Sequence, residues 1–156
     1  MSAIGEVLAA YEGSDGDATR ALFARLEAIG PAGVVALNLF RASKNSARAK
    51  VYRGGMRGRG SFKGMAYDRK AWAVDNLAKV LGTHGEGLGL RWGWGVDDKQ
   101  PVHRDVLYVD LPTGQVSFHT APRGAGPDYP GGWDGVPGMS AQRVCSWCAR
   151  VLEGVA

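Results

Sequence analysis

The sequence predicts an α+β fold in which about five helices pack with a small antiparallel sheet of about three strands. Residues 104–120 alternate apolar and polar side chains on both sides of a break at Pro112-Thr-Gly114, which is typical of a β-hairpin. The first 82 residues carry apolar side chains at helical spacing between turn signals. Residues 144–152 form a further apolar helical stripe, which is expected to lie on one face of the hairpin.

The hydrophobic pattern of the hairpin also predicts its register. Pro at the second and Gly at the fourth position of Leu111–Gly114 suit a type I turn, and a four-residue loop there would pair Asp110 with Gln115. The apolar face then carries Leu107, Val109, Val116 and Phe118, and the polar face carries Tyr108, Asp110, Gln115, Ser117 and His119. The apolar face is expected to be the floor of the core. The polar face either meets water or lines a site.

Three helices are predicted before residue 51. Residues 2–11 resemble a short helix capped by Ser2, and Asp17 can cap a second helix that ends at Gly30. Pro31 suits the first position of a third helix, which becomes basic toward Lys50. The short connections predict antiparallel packing of neighbouring helices.

A fourth helix is predicted over residues 65–81. Its expected inward stripe is Tyr67, Ala71, Val74, Ala78 and Leu81, with Leu77 beside it. Trp72 lies on the opposite side of the helix at about 100° per residue. Two interpretations stay open: Trp72 packs on a second layer, or it is exposed to a partner.

The rest of the C-terminal half is predicted to complete the sheet and cover it. Residues 88–94 alternate as a strand, with the tryptophans Trp92 and Trp94 on one face. Residues 121–139 form a long Gly/Pro-rich loop, and we expect it to wrap over one edge or face of the sheet. Ser140 is expected to cap the last helix.

Length and composition indicate one globular domain spanning 1–156. The helical half would cover 1–82 with a basic Gly/Arg loop at 53–64, and the sheet with its helix would cover 88–156. The chain is 45% apolar and 22% charged, and no run of about 18 apolar residues or export signal is found. A cytoplasmic protein without a membrane contact is therefore expected, with Cys145 and Cys148 as reduced thiols.

Positive charge is concentrated in one part of the sequence. Residues 41–70 contain ten Lys or Arg and one acid, Asp68, so this segment carries +9 and the remainder of the +4 chain carries −5. Such local charge favours an anionic partner. Arginine suits phosphate because its planar fork binds phosphate oxygens in pairs, and the glycines of 53–64 oppose a stable helix. The alternative for this loop is a solvated connection.

The leading functional prediction is a non-enzymatic module that binds DNA or RNA. Its predicted cationic residues are Lys44, Arg48, Lys50, Arg53, Arg57, Arg59, Lys63, Arg69 and Lys70. Tyr52, Phe62 and Trp72 are candidate stacking surfaces. Another possibility is a protein-binding inhibitor or adaptor that docks its basic helix on an acidic partner.

The rival prediction is an enzyme that acts on nucleotides or nucleic acid through the polar face of the hairpin. His119, Asp110, Tyr108 and Ser117 are the candidate catalytic residues, because these groups can perform acid–base work or bind a divalent metal. Asp110 is the one firm carboxylate there, so a hydrogen-bonded strand face under the long loop is the competing interpretation. No metal site or cofactor is predicted: the pair Cys145 and Cys148 lacks the context of a zinc site.

Several segments resemble a group of small uncharacterised proteins from bacterial genomes, prophages and phages. The resemblance rests on residues 47–55, 66–72, 90–94, 106–119 and 126–129, and would cover roughly 40–155. It implies no known activity and no functional residue. It implies a setting in mobile elements, where small basic proteins often bind nucleic acid or inhibit host defence. One alternative function is therefore an inhibitor that binds a host defence nuclease.

Overall fold

The structure is a computed structural model that describes residues 2–51, 62–97, 104–120, 126–131, 134, 136 and 138–155. Within these segments it contains five helices and one three-stranded antiparallel sheet, which confirms the α+β prediction. In chain order the elements are α1 (Ala3–Glu12), α2 (Gly16–Ile29), α3 (Pro31–Val51), α4 (Phe62–His84), β1 (Arg91–Asp97), β2 (Arg104–Leu111), β3 (Gly114–Thr120) and α5 (Ser140–Glu153).

The first three helices begin where the capping residues predict, except that the cap of α2 lies two residues earlier. The Ser2 side chain accepts a hydrogen bond from Gly5 N, and Pro31 opens α3, both as predicted. The cap of α2 is Asp15 and not Asp17, since the Asp15 carboxylate accepts from the Asp17 amide at 2.8 Å. Both aspartates fit the pattern of a cap, and the Asp15 side chain satisfies one of the free N–H groups in the first turn of the helix.

Helix α4 is longer than predicted at both ends. It begins at Phe62, inside the predicted basic loop, and runs through Gly82 to His84. The chain then turns with Gly89 in the left-handed region at φ 69°, so β1 begins at Arg91 instead of Leu88. Glycine adopts that φ without steric cost, which makes a turn cheaper there than an early strand.

The buried face of α4 is rotated from the predicted stripe. Val74, Leu77, Ala78 and Leu81 are buried as expected, but Tyr67 and Ala71 are only partly buried. Their places are taken by Ala66, Lys70 and Ala73. Helix α3 also buries alanines, Ala42 and Ala49, and small side chains allow neighbouring helices to approach closely. The spacing of large apolar residues does not predict such a contact, because alanine contributes little to that pattern.

The sheet has the order β1-β2-β3, and its register pairs Asp110 with Gln115 as predicted. The predicted apolar face is confirmed, because Leu107, Val109, Val116 and Phe118 are all buried. Trp92 and Trp94 continue this face, as they lie opposite Val109 and Leu107. The core lies between this face and the helices, and α5 contributes Val144, Trp147, Cys148 and Val151 to it.

The Gly/Pro-rich loop pairs with the outer edge of β1. Trp94 N donates to Pro127 O and Tyr129 N donates to Trp94 O, both at 2.9 Å, which forms a short parallel bridge. Ser140 is the first residue of α5 and not its cap, because its hydroxyl accepts from Ser117 N at 3.2 Å. The described part of the loop therefore wraps the sheet edge as expected, and the start of α5 contacts β3.

Among the helices of the described segments, none combines the length and the apolar content that crossing a bilayer requires.

Candidate nucleic-acid interface

The cations of α3 lie on two opposite faces of the helix. Arg41, Lys44 and Arg48 follow the i, i+3, i+7 spacing of one face and line one surface cleft, which we call the outer cleft. Lys50 is rotated by about 160° from Arg48 at ~100° per residue. It lines a different cleft, which we call the inner cleft. In the described part of the chain, the basic sequence segment therefore does not form one continuous surface.

Lys44 has a structural partner on α1. Its ammonium group donates to Ala10 O at 2.8 Å and to Gly13 O at 3.0 Å, which are carbonyls at the C-terminal end of that helix. Burial lowers the pKa of Lys44, and the nearby Arg48 lowers it further. Two of its three N–H donors hold α1 against α3, so only one is left for a phosphate.

Lys70 is predicted to be an exposed cation, but its side chain is buried. It lies on the inward face of α4 with an exposed fraction of 9%, and it lines the inner cleft. A lysine at a core position can place its aliphatic stem among apolar neighbours. Lys70 therefore does not contribute to the outer surface of the α3–α4 hairpin.

The outer surface presents an aromatic ring together with arginines. Trp72 is 56% exposed, which decides between the two interpretations of this residue in favour of exposure. The guanidinium carbon of Arg41 lies 5.2 Å from the centre of the Trp72 ring and 5.3 Å from that of Phe23. This cation–π geometry holds the guanidinium beside the indole face. Arg41 was absent from the predicted site, although its spacing from Arg48 placed it on the same helix face.

Arg48 and Arg69 are exposed on the two helices of the same hairpin. Arg69 lies three residues before Trp72 and is therefore its neighbour on the surface of α4. Within the segments that the structure describes, neither Arg48 nor Arg69 forms an ion pair with a carboxylate. The other predicted contacts, Tyr52, Arg53, Arg57 and Arg59 and the side chains of Phe62 and Lys63, lie outside the described residues.

The polar face of the hairpin holds the segment 126–131 through Tyr129. The Tyr129 hydroxyl donates to the Asp110 carboxylate, whose oxygens lie at 2.7 and 2.8 Å, and accepts from Gln115 Nε2 at 2.9 Å. Arg91 Nε lies 3.3 Å from the same carboxylate, and the Tyr108 ring centre lies 5.0 Å from that of Tyr129. Burial raises the pKa of Tyr129, and the hydrogen bond to Asp110 adds to that rise.

Gly93 explains how the loop can lie so close to β1. A Cβ atom at this position would be 2.6 Å from Tyr129 N and 2.7 Å from the Asp128 carbonyl carbon. Gly95 on the same face would place a Cβ 2.8 Å from the Tyr108 ring. The glycines of β1 are therefore the positions where loop backbone and an aromatic ring rest on the strand.

A second group of hydrogen bonds anchors the loop further along. Arg143 donates to Gln115 O at 2.7 Å and to the Asp134 carboxylate, and Thr113 Oγ1 donates to Arg143 O at 2.7 Å. The Val136 amide holds the pKa of Asp134 below its usual value, and Arg143 adds to this effect. The loop is therefore bonded to both the hairpin and α5.

The predicted catalytic residues do not come together at one point. Asp110 is engaged with Tyr129 and Arg91, while His119 lies four residues along β3 from the Asp110 pair, or about 13 Å at ~3.3 Å per residue. Ser117 and His119 instead line the inner cleft. Near Asp110, the face is a hydrogen-bonded strand surface beneath the loop.

The two cysteines are buried free thiols on α5. Burial raises the pKa of Cys145 to about 11 and that of Cys148 still further. Cys148 Sγ donates to Ala36 O at 3.4 Å, which is the contact of a small core residue. The described residues contain no group of three or more His, Cys, Asp or Glu that could hold a metal ion.

Comparisons with models of protein families, with curated proteins and with solved structures gave no match. The resemblance to small phage and prophage proteins therefore stays a prediction.

Proposed function

We propose that this protein binds nucleic acid through the outer surface of α3 and α4, with little preference for sequence. Arg48 and Arg69 would neutralise phosphates, and Trp72 would stack on a base. The observation that carries the proposal is the exposed indole of Trp72 with the Arg41 guanidinium held 5.2 Å from its ring centre. An exposed aromatic ring beside arginines is the combination that stacks on bases in proteins that bind single strands.

The chemistry of the surface matches a single strand better than an apolar protein patch. Guanidinium groups bind phosphate oxygens in pairs, and every base offers a π-face to an aromatic ring. Arg53, Arg57 and Arg59 follow α3 in the sequence and are further candidates for phosphate contacts. Phosphate contacts of this kind carry no base information, so the affinity should depend on salt more than on sequence.

The test is fluorescence anisotropy of a labelled single-stranded oligonucleotide, titrated with protein at several salt concentrations. The Arg48→Gln variant is expected to bind more weakly, with a salt slope reduced by about 0.7, the value for one phosphate contact on a single strand. The Trp72→Ala variant is expected to lose about 1–3 kcal/mol of binding free energy with little change of slope, because stacking releases no counterion.

Arg150→Gln is the matched control, because Arg150 is an exposed arginine on α5 and its loss changes the net charge by the same amount. Its salt slope should equal that of the wild type. Equal effects of the Arg48 and Arg150 variants would show a response to net charge alone and contradict an interface. Wild-type protein without saturable binding at low salt would contradict the proposed function itself.

A further inference from the structure

The outer cleft concentrates positive charge in a small space. It has a volume of about 290 Å³ and lies between the start of α2 and the C-terminal half of α3. The charged residues among its described lining are Arg20, Arg41, Lys44, Arg48 and Asp15. Arg20 pairs with Asp17 on its own helix. In the described part of the chain, no carboxylate is bonded to any of the three cations that α3 contributes.

Arg41 is held in place by aromatic rings and keeps its N–H groups for a ligand. Its guanidinium carbon lies 5.3 Å from the centre of the Phe23 ring and 5.2 Å from that of Trp72. The side chain is half-buried, and no acceptor among the described residues is bonded to its guanidinium group. A guanidinium carries five N–H donors in a fixed plane, which matches the oxygens of a phosphate.

We propose that the outer cleft binds a terminal phosphate, so that the ligand of the outer surface is a single strand with a phosphorylated end. This inference rests on the proposed function and names its class of ligand. A terminal phosphomonoester carries a charge of about −1.5 to −2 at pH 7, whereas an internal phosphodiester carries a single negative charge. Several cations around one small space match the doubly charged group better than the spaced single charges of a continuous backbone.

The position and size of the cleft favour the end of a strand. Arg41 lines the cleft and also contacts the exposed ring of Trp72, so a terminal base stacked on that ring would have its phosphate beside Arg41. A volume of about 290 Å³ is close to the lower limit of ~300 Å³ for small-molecule sites, which suits one terminal group and not a run of nucleotides. A free nucleotide offers the same phosphomonoester, and the experiment separates the two sources.

The experiment is a competition in which unlabelled single strands displace a labelled strand from the whole chain at constant ionic strength, followed by fluorescence anisotropy. The competitors share one sequence and carry a phosphate at the 5′ end, at the 3′ end or at neither end. One phosphorylated form is expected to compete about tenfold better than the form with two hydroxyl ends, as for one added charge-assisted contact. Arg41→Gln should remove most of this preference, and Arg48→Gln should reduce it at an exposed position that leaves the ring contacts intact.

Arg69→Gln is the matched control, because Arg69 lies on α4 outside the described lining of the cleft. It should weaken all three competitors by the same factor and leave their ratio unchanged. Equal competition by the three strands would overturn the terminal-phosphate inference while the proposed function holds, whereas an absence of any strand binding would overturn both. A preference that survives in the Arg41 and Arg48 variants, or that Arg69→Gln removes, would also overturn the inference. So would a nucleoside monophosphate that competes as well as the phosphorylated strand, because the cleft would then serve a free nucleotide.

Discussion

Replacing Tyr129 by phenylalanine would remove one hydroxyl group that connects the segment 126–131 to the sheet. The oxygen of that group lies 2.7 and 2.8 Å from the Asp110 carboxylate oxygens and 2.9 Å from Gln115 Nε2. The aromatic ring would stay, so its contacts with Tyr108 and Arg91 are expected to persist. The change therefore isolates the contribution of the hydrogen bonds.

The expected effect follows from the charge and exposure of the acceptor. A hydrogen bond to a charged group contributes about 1.5–3 kcal/mol when it is shielded from water. The Asp110 side chain is 33% exposed, so water can replace part of the lost bond. We expect the free energy of unfolding to fall by about 1–2 kcal/mol, which corresponds to a Tm lower by about 2–8 °C for a chain of this size.

Urea unfolding followed by circular dichroism measures this difference. Tyr67→Phe is the matched control, because Tyr67 is partly buried on α4 and makes no hydrogen bond within the described residues. Its free energy of unfolding should change by less than about 0.5 kcal/mol. Equal stability of the Tyr129 variant and the wild type would refute the view that the loop is held through this hydroxyl.

The stability difference between the wild type and Tyr129→Phe should depend on pH. The pKa of Tyr129 is raised above 10.0 in the folded protein, chiefly by burial and then by the Asp110 bond, so the folded state favours the neutral phenol. Its stabilising effect is fully present below pH 10 and is lost as the pH rises through the folded pKa. The stability difference between wild type and Tyr129→Phe should therefore narrow above pH 10. A difference that stays constant would contradict this coupling.

Two further predictions concern residues with structural roles. Lys44→Met should lower the free energy of unfolding by about 1–3 kcal/mol, because the carbonyls of Ala10 and Gly13 lose their donor; an unchanged urea midpoint would contradict this role. Cys145 and Cys148 should react slowly with a thiol reagent at neutral pH in the folded protein and rapidly in urea, because burial raises their pKa values; rapid labelling without denaturant would contradict it.

The hairpin could be predicted from the sequence because its signal is local. Strict period-two alternation around Pro112 and Gly114 allows one register, since a shift by one residue would mix the apolar and polar sets. The rotation of α4 could not be predicted because its buried face includes Ala66, Lys70 and Ala73, which weigh little in an apolar stripe. The position of a helix face is set by the closest approach of its neighbour, and that is a tertiary property.

The candidate site depended on similar long-range contacts. Tyr129 and Asp110 are 19 residues apart, and the local sequence does not indicate their bond. Gly93 offered the one available signal, because glycine within a strand marks a close backbone approach. Likewise, Trp72 could be placed opposite the core from its spacing, but its contact with Arg41 required the pairing of α3 with α4.

Charge density in a sequence and charge on a surface are different quantities, and α3 shows why. Arg48 and Lys50 are two residues apart, so the helical period turns them toward different clefts. Arg48→Gln should reduce the salt slope for oligonucleotides, while Lys50→Gln should leave that slope unchanged, although the two substitutions remove the same charge. Two cations that are neighbours in the sequence would then differ in their contribution to binding, because a helix turns residues at this spacing to different faces, while a strand keeps them on one.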